Sequence, residues 1–169
     1  MGTIERRKNL LLTVGALAEL PDVPLVVVGR PTPYKAELLA FVRARRLEAR
    51  VRFLEGLTMP ELATLYRLAM VAVYPSIVEG FGIPVLEAIA SGTPVVTTRG
   101  GVFPEVGGPG SAYVDPHDPA ELRAELASIL SDPERRARMR AAGLAHAERF
   151  RDDAIADALF RVYEEAVGA

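Results

Sequence analysis

Short apolar runs alternate with longer amphipathic segments along this chain. Runs such as Leu25–Val28, bounded by Pro24 and Gly29, predict strands that are buried on both faces. The alternation is typical of a Rossmann-like α/β fold, in which helices cover both faces of a parallel sheet of five or six strands. The predicted strands are Leu25–Val28, Val51–Leu54, Val71–Tyr74, Val95–Thr98 and Ala112–Val114. The predicted helices are residues 9–19, 34–46, 60–68, 84–91, 119–130, 133–148 and 152–166.

Capping signals support several of these helices. Thr58 and Glu61 have the spacing of a capping box. Asp118 and Asp132 each precede a proline and an acidic residue, which is a typical order at a helix start. Gly92 follows the helix predicted at 84–91 and should end it.

Composition narrows the classes of protein that need to be considered. The 169 residues fit one domain, 1–169, and the formal net charge of −2 gives no reason to expect nucleic acid as a partner. The chain has no cysteine, which excludes disulfides and thiolate chemistry. Charged residues follow Met1 within a few positions and no apolar leader is visible, so we expect a cytoplasmic location.

The histidines and the arginine clusters have no obvious functional pattern. His117 and His146 lack the spacing of metal ligands, so we predict that both face solvent and that the protein holds no metal. Arginines cluster within residues 43–50 and 135–140, on segments rich in alanine, leucine and glutamate. These clusters are predicted to be solvated helix faces.

A glycine-rich loop flanked by two glutamates is the most informative part of the sequence. Gly80 and Gly82 allow a ligand to come close to the backbone, and Pro84 suits the first turn of a helix. The start of that helix offers unpaired N–H groups and a partial positive charge to an anion. Glu79 lies before this start and Glu87 one turn beyond it. Carboxylates on both sides of an anion site suit a nucleotide-sugar, which has hydroxyls at both ends and phosphates between them.

The same segment resembles the signature of the retaining family 4 glycosyltransferases. Further stretches of similarity cover almost the whole chain: RKNLLLTVGAL, LVVVG, VRFLEGL, PSIVEGFGIPVLEAIASGTPVV and GVFPEVGGPGSAYVDPHDPAEL. The resemblance implies the donor-binding C-terminal half of a GT-B architecture, without the N-terminal acceptor domain. It also implies transfer of a hexosyl group from a GDP-, UDP- or dTDP-sugar to an acceptor hydroxyl with retention. No metal or other cofactor would be needed.

The resemblance also suggests roles for individual side chains. Glu79 would hold donor-sugar hydroxyls and stabilise positive charge at the anomeric carbon, while Glu87 would bind the ribose hydroxyls. Lys8 would bind the diphosphate. Arg7 would share that task, since many members carry their arginine at the position of Thr3 in this sequence.

Five further residues complete the predicted donor site. Gly80, Phe81 and Gly82 would offer backbone N–H groups to the sugar and phosphate, although the Phe81 side chain would equally suit the core. Ser76 would bond either locally or to a phosphate. Gly29 would shape a strand-to-helix turn and line the nucleotide side of the cleft.

Three alternatives remain open from the sequence. We expect the isolated chain to bind a nucleotide or nucleotide-sugar without transferring sugar, because the resemblance covers only the donor half. A nucleotide-sugar epimerase of similar fold is disfavoured by the paired glutamates. Family members place a buried strand just before the residues that match 2–8, and here that strand is expected to be absent or very short. The resulting sheet edge would favour self-association.

Overall fold

The computed structural model describes residues 2–20 and 22–168 and confirms the Rossmann-like α/β class, with five parallel strands interleaved with helices. The strands are β1 (Leu25–Val28), β2 (Val51–Leu54), β3 (Ala72–Tyr74), β4 (Val95–Thr98) and β5 (Ala112–Val114). The helices are α1 (Leu10–Ala18), α2 (Tyr34–Ala44), α3 (Met59–Leu68), α4 (Ile83–Ala90), α5 (Phe103–Gly107), α6 (Pro119–Ser131), α7 (Pro133–Ala147) and α8 (Asp152–Val167). Short 3-10 turns are Arg6–Lys8, Gly108–Gly110 and Glu148–Phe150. No helix in these two ranges is long and apolar enough to cross a membrane.

The strands form two sheets, whereas the sequence predicts a single one. β1 pairs with β2, with Val27 opposite Phe53, and β4 lies between β3 and β5. Within residues 2–20 and 22–168 no strand lies between β1 and β3. Only a parallel bridge between Thr3 and Arg30 extends from β1 on that side. The first strand was expected to be absent or very short just before residue 2, and Met1, at that position, lies outside the described residues.

The predicted caps are present and set the starts of three helices. The N–H of Thr58 donates to Glu61 over 2.8 Å in a capping box at α3. Asp118 accepts from the N–H of Ala120 at α6, and Asp132 accepts from the N–H of Arg135 at α7. Each side chain satisfies a donor that the first helical turn leaves without an intrahelical acceptor.

Three apolar clusters hold the strands and helices together. One lies between β1, β2, α1 and α2, a second between β4, β5, α1 and α6, and a third between β3, β4, α4 and α5. Helix α1 contacts both α2 and α6, while α4 contacts α5 and α7. Because β4 contributes to two of these clusters, it occupies the centre of the better-packed half of the domain.

Two side chains of the arginine clusters donate hydrogen bonds to backbone carbonyls. The guanidinium of Arg50 donates to the carbonyl of Val23 over 3.2 Å, and Arg136 donates to the carbonyl of Ile129 over 2.6 Å. Arg136 therefore satisfies a carbonyl in the last turn of α6, where intrahelical donors run out. The prediction of solvated faces was wrong for these two side chains.

His146 is buried, so the prediction that it faces solvent was wrong. Its Nε2 lies 2.8 Å from the carbonyl oxygen of Glu105, and its ring meets Phe150 edge to face. Gly108 has a positive φ of 60°, and a Cβ there would collide with the imidazole. A glycine distant in sequence thus makes room for the ring. Helix α5, missed in a segment rich in glycine and proline, supplies the carbonyl.

Candidate functional site

The glycine-rich loop begins at the carboxyl end of β3, and the neighbouring strand β4 fixes its first residues. The hydroxyl of Thr97 donates to the carbonyl of Tyr74 over 2.8 Å, and that of Thr98 donates to the carbonyl of Ser76 over 2.9 Å. Both threonines are buried. Because their donors are satisfied by the loop backbone, the loop leaves the sheet in one defined direction.

A second segment, at the start of the chain, is joined to this loop. The N–H of Ile77 donates to the carbonyl of Arg7 over 2.9 Å. Asn9 takes a left-handed conformation with φ of 55°, and its side chain donates to the carbonyl of Pro116 over 2.7 Å. These bonds place Arg7 and Lys8 beside the loop that carries the predicted catalytic glutamate.

Glu79 is surrounded by four hydrogen-bond donors, which together with it we call the Glu79 cluster. Its Oε1 accepts from the ammonium of Lys8, from the Tyr74 hydroxyl at 3.0 Å and from the Ser76 hydroxyl at 2.7 Å. Its Oε2 lies 2.8 Å from the guanidinium of Arg7. The side chains of Glu79 and Lys8 are each only 11% exposed, so water screens this pair weakly.

The surroundings of Glu79 stabilise its ionised form. Burial raises the pKa of this carboxyl, but hydrogen bonds from Lys8, Ser76, Arg7 and Tyr74 outweigh burial and lower the pKa to about 2. The hydrogen bond with Glu79 raises the pKa of Arg7. Burial and the nearby carboxylate raise the pKa of Tyr74, so its hydroxyl remains a donor at neutral pH. The cluster is therefore a fixed set of charges at neutral pH.

The start of α4 lies just beyond Glu79 in the chain, and no side chain among the described residues caps it. Gly82 is the N-cap residue, with φ of 95°, a value that a residue with a side chain rarely adopts. Pro84 lies in the first turn, as predicted. A Cβ at Gly80 would meet no other atom within 4 Å, so space remains beside the loop backbone. The helix start is open to an anion.

The second predicted carboxylate is also positioned by a tyrosine. The hydroxyl of Tyr66, on α3, lies 3.2 Å from Glu87 Oε2 and 3.3 Å from the carbonyl of Pro84. Burial raises the pKa of Tyr66, and the charge of Glu87 raises it further. Sequence reasoning missed both Tyr66 and Tyr74, because a tyrosine in a helix or strand is typical of the core. The position of Tyr74 at the carboxyl end of a strand was the available signal.

The structure places the remaining predicted residues in different surroundings. Ser76 is fully buried, and its hydroxyl donates to Glu79, three residues further on, and to the carbonyl of Arg7. Phe81 is 42% exposed and meets Phe150 edge to face, so it does not anchor the core. Gly29 directly follows β1, and a Cβ at this position would collide with the backbone carbonyl oxygen of Gly2. The need for glycine at this turn is thus explained by chain packing alone.

No group of three or more histidine, cysteine, aspartate or glutamate side chains that could hold a metal ion occurs in the described part of the chain. Arg7, Lys8, Glu79 and the partial charges at the start of α4 supply charge at the site, and Glu5 lies 2.8 Å from the Arg7 guanidinium. This arrangement can bind a di-anion beside a carboxylate. It can also stabilise negative charge that develops on a departing group.

Comparison with known proteins identifies relatives over nearly the whole chain. The family profile described as "Glycosyl transferases group 1" matches residues 1–146. An "MMP alpha-(1->4)-mannosyltransferase" of Mycolicibacterium hassiacum is 42% identical over 94% of this chain and 39% of its own length. A "D-inositol 3-phosphate glycosyltransferase" of Corynebacterium efficiens is 40% identical over 100% of this chain and 42% of its own length. The chain thus spans about two fifths of the length of these relatives.

Solved structures agree with the sequence comparisons. A sucrose-phosphate synthase from Thermosynechococcus elongatus superposes with a TM-score of 0.86 at 29% identity, over 99% of this chain and 44% of that one. The C-terminal domain of a glycosyl transferase group 1 family protein (LpcC) from Francisella tularensis gives a TM-score of 0.78 at 28% identity. That match covers 88% of this chain and 82% of the other. The similarity therefore corresponds to a single domain of such proteins.

Proposed function

The chain belongs to the group 1 glycosyl transferases, and we propose that it forms the domain of such an enzyme that binds the donor nucleotide-sugar. The Glu79 cluster at the open start of α4 carries this proposal. It brings two cations, a carboxylate and unpaired helical N–H groups to one place at the carboxyl edge of the sheet. Ligands of open α/β folds bind at that edge.

Binding of the donor would exchange one set of charges for another. In the absence of a ligand, Glu79 forms ion pairs with Lys8 and Arg7, and Glu5 forms a second ion pair with Arg7. The diphosphate of a nucleotide-sugar carries the same sign of charge and has more oxygens, so it takes over the hydrogen bonds from both cations. The start of α4 stabilises the same phosphates. This exchange frees oxygens of Glu79 to accept from hydroxyls of the donor sugar.

The two glutamates would then act at opposite ends of the donor. Glu87, held by Tyr66, accepts hydrogen bonds from the two ribose hydroxyls, and Glu79 faces the sugar. In the transfer step the bond between the anomeric carbon and the diphosphate oxygen breaks, and its electron pair stays with the diphosphate. The acceptor hydroxyl bonds to that carbon from the same face, and its proton passes to the diphosphate oxygen. Lys8 and Arg7 stabilise the charge on the leaving group.

The chain by itself should bind a donor without transferring its sugar. Its relatives are more than twice as long, and the match is confined to one domain of them. A nucleotide-binding domain without transferase activity is therefore the second candidate for the isolated chain. The two candidates share the same site and differ only in whether an acceptor reacts.

Calorimetric titration with GDP, UDP, dTDP and ADP, in the absence of metal, tests the proposal. One nucleotide should bind, and Glu87→Ala should abolish its binding. Glu134→Ala is the matched control, because Glu134 is also an acid near a helix start but its side chain is 90% exposed. Lys8→Ala should weaken binding by roughly 100-fold, since charge-assisted bonds to phosphate are lost.

Two results would contradict the proposal. One is equal binding by the unmodified chain, Glu87→Ala and Lys8→Ala, which would locate the nucleotide elsewhere. The other is failure of all four nucleotides and of the corresponding sugar nucleotides to bind a chain that circular dichroism shows to be folded. Transfer is measured separately, with a radiolabelled donor sugar, so that binding and catalysis are judged independently.

A further inference from the structure

Tyr74, the last residue of β3, has its side chain inside the Glu79 cluster. It is only 8% exposed, and its ring meets Phe103 edge to face, with 6.2 Å between the ring centroids. Its backbone carbonyl accepts a hydrogen bond from the hydroxyl of Thr97. The core therefore fixes both the backbone and the ring of this residue, and the hydroxyl is held in one place beside Glu79.

The hydroxyl of Tyr74 bonds to both members of the ion pair between Lys8 and Glu79. It accepts from the ammonium of Lys8 and donates to Oε1 of Glu79 over 3.0 Å. The ammonium also lies 4.9 Å from the centroid of the tyrosine ring, within the range of a cation–π interaction. A hydroxyl has one proton to donate, and an ammonium cannot accept it. In the described part of the chain, Glu79 is thus the one acceptor for the Tyr74 proton.

Ser76, the other neutral donor to Glu79, has more than one acceptor within reach. Its hydroxyl oxygen lies 2.7 Å from Oε1 of Glu79, 3.0 Å from the carbonyl of Arg7 and 3.4 Å from the carbonyl of Val78. A single proton is therefore shared among three acceptors. Of these two neutral donors, Tyr74 is the one whose proton has no competing acceptor among the residues that the structure describes.

The two carboxylate oxygens of Glu79 have different partners. Oε1 accepts from Lys8, Ser76 and Tyr74. Oε2 lies 2.8 Å from the guanidinium of Arg7. In the proposed function, the diphosphate draws both cations away from this carboxylate. Oε1 then keeps its two neutral donors, and Oε2 becomes the oxygen that can accept a hydrogen bond from a sugar hydroxyl.

We infer that Tyr74 is a positioning residue for the donor sugar: with the diphosphate bound, its hydroxyl holds Oε1 of Glu79 so that Oε2 faces the sugar. This inference rests on the proposed function, because it concerns the same site. A carboxylate that is already held at one oxygen loses less freedom when the sugar binds. The ring of Tyr74 keeps the Lys8 ammonium beside the site during the exchange. The tyrosine thus acts through Glu79 and not on the reacting atoms.

Calorimetric titration with three pairs of ligands tests this inference: GDP with GDP-mannose, UDP with UDP-glucose and dTDP with dTDP-glucose. For each pair that binds, the affinity for the nucleotide-sugar divided by the affinity for the nucleotide gives the contribution of the sugar. Tyr74→Phe keeps the ring and removes the hydroxyl. It should lower this ratio by about tenfold, because a hydrogen bond to a charged group is lost. A purely structural defect would weaken both ligands equally and leave the ratio unchanged.

Tyr113→Phe is the matched control. Tyr113 also lies on a strand, β5, and its hydroxyl donates to a backbone carbonyl, that of Gly108, over 2.6 Å. Its replacement should leave the affinity ratio unchanged. Glu79→Ala tests whether the effect of the tyrosine passes through the carboxylate. In that background, Tyr74→Phe should cause no further change in the ratio, since the group that it positions has been removed.

An unchanged affinity ratio in Tyr74→Phe would overturn the inference. So would an equal fall of the ratio with and without Glu79, because the tyrosine would then act on the ligand directly. Equal affinity of the unmodified chain for each nucleotide and its sugar derivative would also overturn it, since Glu79 would not bind the sugar. In that case nucleotide binding at the proposed donor site would still stand. If no member of any pair binds the folded chain, the proposed function fails and the inference falls with it.

Discussion

Two strands of equal length, β1 and β4, have very different surroundings. The sequence of β1, Leu25–Val28, is entirely apolar, whereas β4, Val95–Thr98, ends in two threonines. All four residues of β4 are nevertheless buried, while only Val27 is buried in β1. The reason is pairing: among the described residues, β4 lies between β3 and β5, whereas β1 has β2 as its one strand partner. Neighbours, and not side-chain hydrophobicity, decide how deeply a strand is buried.

The buried hydroxyls near the two strands differ in whether they have a hydrogen-bond partner. The hydroxyls of Thr97 and Thr98 on β4 donate to loop carbonyls and help to position Ser76, next to Glu79. The hydroxyl of Thr13, on α1, is buried without a hydrogen-bond partner in the described residues. The sheet around β4 is thus a completed scaffold, and its carboxyl end carries the proposed donor site.

The largest expected difference comes from placing a charge in each strand. Val96→Asp should destabilise the domain by roughly 4 kcal/mol or more, because Val96 is fully buried and a carboxylate there has no partner. Val26→Asp should cost about 1 kcal/mol, since its side chain reaches solvent. Urea unfolding followed by circular dichroism measures both. Equal losses would mean that β1 is as enclosed as β4 in solution.

Removing one buried hydroxyl in each region should give a smaller difference in the free energy of unfolding. Thr97→Val removes the donor to the Tyr74 carbonyl and leaves that carbonyl less satisfied, at a cost of roughly 1–3 kcal/mol. Thr13→Val removes a buried hydroxyl that has no partner in the described structure, so its effect should be about zero or stabilising. Thermal unfolding of both variants checks the sign. A clear destabilisation by Thr13→Val would indicate that this hydroxyl is hydrogen-bonded in solution.

The smallest expected effect is the change in the free energy of unfolding with pH. It depends on Glu79, at the carboxyl end of the sheet that contains β4. The folded pKa of Glu79 is about 2, below the ordinary value of 4.5. Its ionisation therefore stabilises the fold fully above pH 4.5, and this contribution is lost as the pH falls toward 2. We expect roughly 1–2 kcal/mol, allowing for solvent screening at the exposed Arg7.

Glu79→Gln should remove this component of the pH dependence. The free energy of unfolding of the variant, measured in urea from pH 6 to pH 2.5, should fall less steeply than that of the unmodified chain. Glu134→Gln, whose side chain is 90% exposed, serves as the control and should leave the profile unchanged. Parallel profiles for all three proteins would show that Glu79 is not held in the ionised state by its neighbours.

Local patterns were sufficient for most of the fold. Apolar runs gave the bounds of β1, β2, β4 and β5 to the residue, because short, mostly apolar runs of three or four residues are too short for a helix and favour a strand. Helix α5 escaped detection, since a segment rich in glycine and proline is typical of a loop. The burial of His146 was also missed, because the space for its ring is made by Gly108 from a distant segment.

The candidate site was predictable only in part. Spacing marked Glu79, Glu87 and the start of α4, and resemblance added Arg7 and Lys8. The contacts of Tyr74 and Tyr66 with the two glutamates were not foreseen. These contacts join residues on separate elements, and no local pattern encodes them. The roles of all these residues in binding and transfer remain predictions that the titrations address.

The sequence by itself determined the five strands, seven of the eight helices that the structure describes, three helix caps and the loop beside the paired carboxylates, because these features depend on spacing and on local hydrogen bonding. Only the tertiary structure decided that Glu79 is enclosed by four donors and that Val26 is more exposed than any residue of β4. Burial and charge pairing depend on which elements become neighbours. That outcome is a property of the whole chain, so two strands of equal length can have opposite surroundings.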